Sequence, residues 1–165
     1  MYKEYSPCSI LAPFIYHFWE YKGETRSGLK FNIPPHGCSD FVFIVGNAAD
    51  CIRNSLIMKP YHSYFFGPMN TFTELVAHTN FIHIIGVRFR PCGLFQFIEI
   101  PLNELANQGI DSQEFPVLFS QSFIYQLCES NQNPIDIIEH ELVRQVYTNN
   151  MDTEKQISYA VSLIS

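Results

Sequence analysis

The sequence has no run of about 18 consecutive apolar residues, so it predicts no membrane-spanning helix. Its first residues lack the apolar core of a signal peptide. None of its five cysteines forms a Cys-x-x-Cys pair, and an odd number of scattered cysteines without a secretory signal is typical of reduced thiols. These absences predict a cytoplasmic protein with no membrane partner.

Positive charge is scarce as well. The chain has ten Lys and Arg residues against sixteen Asp and Glu residues, and its formal net charge is −6. A surface that binds DNA needs a basic face, because Lys and Arg replace the counterions on the phosphates. We therefore expect any contact with DNA to be made by another domain and not by this chain.

Common motifs of enzyme active sites are missing too. There is no Gly-x-Ser-x-Gly elbow, no glycine-rich phosphate loop and no His-x-His step of a metal-binding cupin. Cys38 stands two residues after His36, but this spacing alone does not predict a thiol–imidazole pair. The sequence therefore predicts no catalytic residue, no metal and no cofactor. A cupin-like metal-dependent enzyme stays an alternative, because the chain has six histidines.

Apolar and aromatic residues are abundant, at 47% and 15% of the chain, with 15 Phe and 9 Tyr. In the first 90 residues, short apolar runs separated by Pro, Gly and Asn predict about seven strands. Residues 41–45 are apolar on both faces, which predicts a central strand covered on both sides. Residues 71–78 and 81–89 are predicted to form a hairpin that turns near Thr79 and Asn80.

After residue 90 the pattern becomes helical. Helical turns are predicted at residues 91–98 and from Pro101 onward, and a longer helix at residues 115–128. Another helix is predicted from Pro134 to about residue 147, with a stop at Asn149-Asn150. The predicted fold class is α+β: an N-terminal β-sandwich or barrel, followed by two to four helices.

The helix from Pro134 carries an apolar stripe formed by Ile135, Ile138, Leu142 and Val146. The stripe predicts either contact with the sheet of the same chain or a dimer interface across a two-fold axis, and the sequence leaves both open. A second apolar stripe begins after Asp152 and continues to the last residue. We interpret residues 1–150 as one domain and residues 151–165 as the start of a second.

The strand at residues 81–89 combines apolar side chains with a charged end. Arg88 and Arg90 share one face of the strand, and His83 lies on the opposite face. The arginines are interpreted either as ion-pair partners of Glu99 and Glu104 or as a clamp for a carboxylate or phosphate. His83 is either a hydrogen-bonded core residue or a polar anchor in a ligand cavity.

Aromatic residues around the predicted sheet have two interpretations as well. The set consists of Tyr16, Trp19, Tyr21, Phe41, Phe43, Tyr64, Phe65 and Phe66. Such residues are usually core, but they also suit the lining of a pocket for a small apolar or aromatic effector.

Three segments resemble the signatures of one family. Residues 86–93 (GVRFRPCG) resemble a Gly-Val-Arg-Phe-x-Pro-x-Gly run, residues 11–19 (LAPFIYHFW) an LxPFIxxFW run, and residues 35–43 (PHGCSDFVF) a PDGxxEhhF run, where h is apolar. These runs, in this order, resemble the N-terminal domains of AraC-type bacterial transcription regulators over roughly residues 10–150. The motif residues are Pro35, Gly37, Gly86, Arg88, Pro91 and Gly93.

The chain departs from that family's pattern at two positions. His36 stands where the family usually has Asp, and Cys92 stands where it more often has Gly.

The resemblance implies a cupin-like domain that binds an unknown small-molecule effector and dimerises. We place the effector site at Trp19, Tyr64, His83 and Arg88. The resemblance also implies that residues 151–165 begin a helix-turn-helix domain, and that DNA is bound only through that second domain. The main alternative is a dimerisation or protein-contact module that binds no small ligand.

Overall fold

The computed structural model describes residues 1–46, 49–51, 56–98, 103–114 and 118–162, with side chains described for all of these except 49–51 and 151–162. Within these ranges the chain forms ten β-strands, two short 3-10 helices and two α-helices. The strands are β1 (Tyr2–Tyr5), β2 (Ile15–Glu24), β3 (Lys30–Ile33), β4 (Asp40–Ile44), β5 (Ala49–Cys51), β6 (Leu56–Ile57), β7 (Ser63–Phe66), β8 (Thr73–Ala77), β9 (Phe81–Phe89) and β10 (Gly109–Asp111). The 3-10 helices are Gly93–Gln96 and Ser112–Glu114, and the α-helices are α1 (Gln121–Glu129) and α2 (Pro134–Ser162).

The strands form two antiparallel sheets. The larger has six strands in the order β1-β2-β9-β4-β7-β10, and the smaller has four in the order β3-β8-β5-β6. Strand β9 runs through the middle of the larger sheet, where it pairs with β2 along its whole length and with β4 from Arg88 to Ile84. Both faces of β9 and of β4 are buried, which confirms the predicted central strand at residues 41–45.

Two apolar cores lie on opposite faces of the larger sheet. The helix-side core joins the sheet to the helices and includes Phe41, Phe43, Ile85, Val87 and Phe89 with Ile124, Leu127, Ile138 and Leu142. The inter-sheet core joins the two sheets and includes Val42, Ile44, Ile82 and Ile84 with Phe31, Leu75 and Ala77. The molecule is therefore layered as helices, six-stranded sheet and four-stranded sheet. This confirms the predicted α+β class, while the cupin-like detail stays a prediction.

The predicted hairpin of residues 71–78 and 81–89 is wrong. Strand β8 pairs with β3 and β5 in the smaller sheet, whereas β9 pairs with β2 and β4 in the larger. The turn at residues 78–80 therefore carries the chain from one sheet to the other. A short polar turn can join either two paired strands of a hairpin or two strands of different sheets, so the local sequence does not distinguish these arrangements.

The described part of the first 90 residues contains nine strands rather than about seven, and β10 follows at Gly109–Asp111. The sequence did not predict β1 or β10. The single strand predicted for residues 51–58 corresponds to the end of β5 and to β6, and residues 52–55 lie outside the described residues.

The helical turn predicted at residues 91–98 is present as the 3-10 helix Gly93–Gln96. Helix α1 begins at Gln121, where the Ser120 hydroxyl accepts the Phe123 N–H at 3.2 Å. This start is later than the predicted residue 115. Residues 115–117 lie outside the described residues, as do 99–102, which include the predicted turn at Pro101.

Helix α2 begins as predicted and ends later than predicted. Asn133 accepts the Ile135 N–H at 3.1 Å, and Pro134 occupies the first helical position. The stop predicted at Asn149-Asn150 is wrong, because the helix continues to Ser162. Asn149 instead donates to the Gln96 carbonyl oxygen at 2.9 Å and so fastens α2 to the 3-10 helix.

The continuity of α2 does not decide the predicted domain boundary at residue 150, which stays a prediction. The side chains of the second apolar stripe, from residue 152 onward, lie outside the described residues. In the described part of the chain, no helix is both long and apolar enough to cross a membrane.

The apolar stripe on α2 lies inside the chain. Ile135, Ile138, Leu142 and Val146 are each at most 5% exposed and pack in the helix-side core. They therefore cover the larger sheet of their own chain, which corrects their assignment to a dimer interface. A homodimer formed through another surface stays a prediction.

Candidate functional site

A cavity of about 320 Å³ lies between the two sheets and is partly open to solvent. The larger sheet contributes Tyr2, Trp19, Tyr21, Ile82, Ile84 and Arg88, and the rest of the lining comes from Phe31, Asn32, Ile33, Pro34, His36 and Leu75. Most of these side chains are apolar, and the polar ones are few. Volume and lining both match those of small-molecule sites, which are concave, mostly apolar and carry a few polar groups.

Trp19 forms one wall of this cavity because of a glycine on the next strand. Trp19 pairs with Gly86 across β2 and β9, and a Cβ atom at position 86 would overlap the indole ring. Glycine therefore lets the ring lie flat against β9. The indole Nε1 is buried and has no hydrogen-bond partner among the described residues. An unpaired buried donor costs free energy, so the indole position against Gly86 carries a local penalty.

Arg88 is held at the cavity by Asp40. The two residues are directly opposite on β9 and β4, and Arg88 Nε and Nη2 donate to Asp40 Oδ1 and Oδ2 at 2.9 and 2.8 Å. Burial opposes ionisation of the carboxyl, but hydrogen bonds from His36 and Arg88 outweigh it and lower the pKa of Asp40. Asp40 is therefore a carboxylate, and the pair is charged on both sides and neutral in sum.

His36 extends this pair into a three-residue network. Its Nδ1 accepts the Cys38 N–H at 3.2 Å, so the ring proton lies on Nε2, which is 3.3 Å from Asp40 Oδ2. The turn that carries His36 is fixed by Gly37, whose φ of 67° is in the left-handed region. The N–H groups of both residues donate to the Met69 carbonyl oxygen.

A smaller cavity of about 50 Å³ adjoins the first. Trp19, His36 and Arg88 line both cavities, whereas Asp40 lines only the smaller one. Arg88 therefore lines the larger cavity, whereas Asp40, the carboxylate that neutralises it, does not.

The predicted ligand residues are only partly assembled at this cavity. Trp19 and Arg88 both line it, and their role in ligand binding stays a prediction. Tyr64 lines neither cavity. It is buried in the inter-sheet core, where its hydroxyl accepts the Lys59 N–H at 2.7 Å. His83 points to the opposite face of β9 from Ile84 and Arg88, because successive side chains of a strand point to opposite faces of the sheet.

His83 belongs to a hydrogen-bonded group outside the cavity. Its Nε2 lies 2.8 Å from Glu20 Oε1, and the Tyr5 hydroxyl donates to Glu20 Oε2 at 2.9 Å. Burial opposes ionisation of Glu20, but these bonds prevail and lower its pKa. His83 is therefore a paired structural residue, and this corrects its assignment as a ligand anchor.

The second arginine of the strand end is separated from the first. Arg90 donates to the Ala12 carbonyl oxygen at 2.8 Å, and its guanidinium lies 4.3 Å from the centre of the Tyr16 ring. Arg90 does not line the cavity, so no two-arginine clamp forms there. Arg88 pairs with Asp40 rather than with Glu104, and Glu99 lies outside the described residues.

The remaining motif residues shape the turn that follows β9. Pro91 ends the strand, and Cys92 adopts a φ of 64° in the left-handed region before the 3-10 helix begins at Gly93. A Cβ atom at Gly93 would overlap the Phe14 carbonyl, so only glycine fits there. The left-handed φ at Cys92 gives a physical reason for glycine at that position as well.

The structure gives little support to a thiol–imidazole pair or a metal site, the two kinds of cysteine and histidine site considered from the sequence. Burial raises the pKa of the Cys38 thiol, which disfavours a thiolate beside His36. Over the described ranges, no three His, Cys, Asp or Glu side chains converge to form a metal site.

Sequence reasoning missed the polar end of the cavity. Asp40, His36 and Tyr2 were not candidates for the effector site, although Asp40 and His36 lie within residues 35–43, one of the three segments that resemble family signatures. The register of β4 against β9 brings Asp40 to Arg88, and this register is a long-range property. The one available signal was a lone acidic residue at the start of an apolar strand, because such a residue needs a cation when it is buried.

The fold and site define an α+β domain with a ligand-sized cavity between two sheets. Residues 3–111 match a domain of unknown function, DUF6597. The chain belongs to this family. The match spans nearly all of the ten strands and every cavity-lining residue except Tyr2. No curated protein matches the chain.

Proposed function

We propose that this chain is the sensor domain of an AraC-type transcription regulator and that it binds a small effector between its two sheets. The observation that carries the proposal is the 320 Å³ cavity, which combines mostly apolar walls with Arg88, the ion-pair partner of Asp40. The resemblance of residues 11–19, 35–43 and 86–93 to such regulators supplies the regulatory part. The acidity of the chain supports a division in which another domain binds DNA.

Strand β9 offers a route from the cavity to the helices. Ile84 faces the cavity, and its neighbour Ile85 packs in the helix-side core with Leu142 of α2. An effector that binds one arrangement of β9 more tightly than another shifts the population of α2 positions. Helix α2 continues into residues 151–162, where the second domain is predicted to begin.

The binding part is tested with the purified chain and its single tryptophan, Trp19, which lies in the cavity wall. A library of small apolar and aromatic metabolites is titrated against intrinsic fluorescence, with thermal unfolding as a second readout. We expect a saturable emission change and a raised midpoint for members of one chemical class. A stable dimer that responds to no compound would favour the ligand-free contact module instead.

The regulatory part is tested separately by the sequence encoded downstream of Ser165 in the natural gene. We expect a basic segment of about 100 residues with two helix-turn-helix units. A continuation into an unrelated domain would overturn the regulator and leave the effector site standing.

A further inference from the structure

The polar end of the cavity consists mainly of hydrogen-bond donors. Arg88 has five N–H donors. Asp40 takes one from Nε and one from Nη2, which leaves three without a bond to any described residue. These donors fit a ligand that presents an acceptor atom, such as a carbonyl oxygen.

The charge at this end disfavours an anion. Asp40 neutralises Arg88 through two short bonds, and His36 adds a neutral ring with its proton on Nε2. A carboxylate that leaves water for this mostly apolar cavity loses its hydration and finds no net positive charge in return. A neutral carbonyl loses much less hydration and still meets the same donors.

The size of the cavity limits the apolar part of the ligand. A cavity of about 150 Å³ holds benzene. The cavity here, at about 320 Å³, therefore has room for one substituted ring or two fused rings.

We infer that the effector is an uncharged, mainly apolar cyclic molecule with a carbonyl acceptor, such as an amide, ketone or lactone, and that a carboxylate of the same shape is rejected. This inference rests on the proposed effector-binding role. The carbonyl oxygen accepts from Arg88, and the ring lies against Trp19 and Tyr21.

The test compares two molecules of one shape, cyclohexanecarboxamide and cyclohexanecarboxylate, at pH 8. Neither absorbs where Trp19 is excited, so the fluorescence of the single tryptophan reports their binding directly. In the wild-type chain we expect the amide to bind at least tenfold more tightly than the carboxylate. Equal or tighter binding of the carboxylate would overturn the inference and leave the effector site intact. No saturable change with either compound would count against the site itself.

A charge variant sharpens the test. Asp40→Asn removes the charge that neutralises Arg88, so the carboxylate should gain at least tenfold in affinity while the amide changes less than threefold. No gain for the carboxylate in a folded variant would contradict the role of Asp40. The control is Arg90→Lys, which alters a guanidinium outside the cavity and should leave both affinities unchanged. If Asp40→Asn does not fold, the wild-type comparison still decides.

Discussion

The two faces of the six-stranded sheet are built differently. The helix-side face is closed by phenylalanine rings, and Phe119 lies edge-on to Phe41 and Phe43 with centroids 5.0 and 4.9 Å apart. The inter-sheet face carries mostly aliphatic side chains and leaves a cavity of about 320 Å³. The same strands thus supply a dense core on one side and a cavity on the other.

The difference teaches that the dense core and the cavity of this fold depend on different side chains of the same strand. Alternation along β9 sends Ile85 and Val87 to the helices and Ile84 and Arg88 to the cavity. Substitutions one residue apart on β9 therefore test the two faces independently.

The largest contrast is expected between Ile85→Ala and Ile84→Ala. Ile85 is fully buried in the dense core, so truncation leaves a new void and should lower the free energy of unfolding by about 4 kcal/mol. Ile84 already borders a cavity, and its truncation should cost about 2 kcal/mol. Urea denaturation of both variants measures the difference. Equal costs would mean that the two faces are packed alike.

The next largest effect concerns the ion pair in the cavity wall. Arg88→Met leaves the Asp40 carboxylate buried without its cation and should cost about 3 kcal/mol. The matched control is Arg144→Met. Arg144 also makes two bonds to one carboxylate, at 2.9 and 2.6 Å to Glu141, but its side chain is 60% exposed, so its loss should cost less than about 1 kcal/mol.

The same pair makes stability depend on acid pH. The folded-state pKa of Asp40 is lowered, so its contribution is present above the unfolded pKa of about 3.9 and is lost as pH falls through the folded value. The cost of Arg88→Met should therefore shrink as pH falls below about 4. A cost independent of pH would contradict an ionised Asp40.

Gly86→Ala should disturb the cavity face alone. The added methyl overlaps the Trp19 indole, which must move, at a cost of about 1 to 3 kcal/mol and with a shift in tryptophan emission. Gly28→Ala is the control, because it strains a φ of 82° but has no atom within 4 Å of the new methyl. It should destabilise without changing the emission. An unchanged emission in Gly86→Ala would show that Trp19 does not rest on this glycine.

The smallest effect is expected outside both faces, at Cys92. Its φ of 64° strains any side chain, and its side chain is exposed, so Cys92→Gly should stabilise the chain by about 0.5 to 1 kcal/mol. Cys92→Ala keeps the strain and should change stability little. The difference between their thermal midpoints isolates the backbone contribution.

Local patterns were sufficient for much of the fold. Period and punctuation predicted β4, β9, the start of α2 at Pro134 and the α+β class, because these depend on neighbours in sequence. These local patterns failed where long-range contacts determine the structure. The chain changes sheets after β8, and Asn149 bonds to Gln96 instead of ending a helix.

Only part of the candidate site could be predicted from the sequence, for the same reason. Trp19 and Arg88 were identified from their motifs, but their partners Gly86 and Asp40 act through strand register. His36 shows how a departure from a motif is accommodated. Its Nδ1 accepts the N–H two residues on, as an aspartate side chain does in an Asx-turn, and its Nε2 reaches Asp40 in addition.

Helix α2 has one more consequence. Val146 is the last residue of α2 whose described side chain belongs to the helix-side core, and with a rise of about 1.5 Å per residue an arm of about 24 Å runs from Val146 to Ser162. Over such an arm a tilt of about 5° displaces the far end by roughly 2 Å, more than the side chains beside the sheet need to move. A lever of this kind turns a small repacking around Leu142 into a displacement large enough to reposition whatever the arm carries.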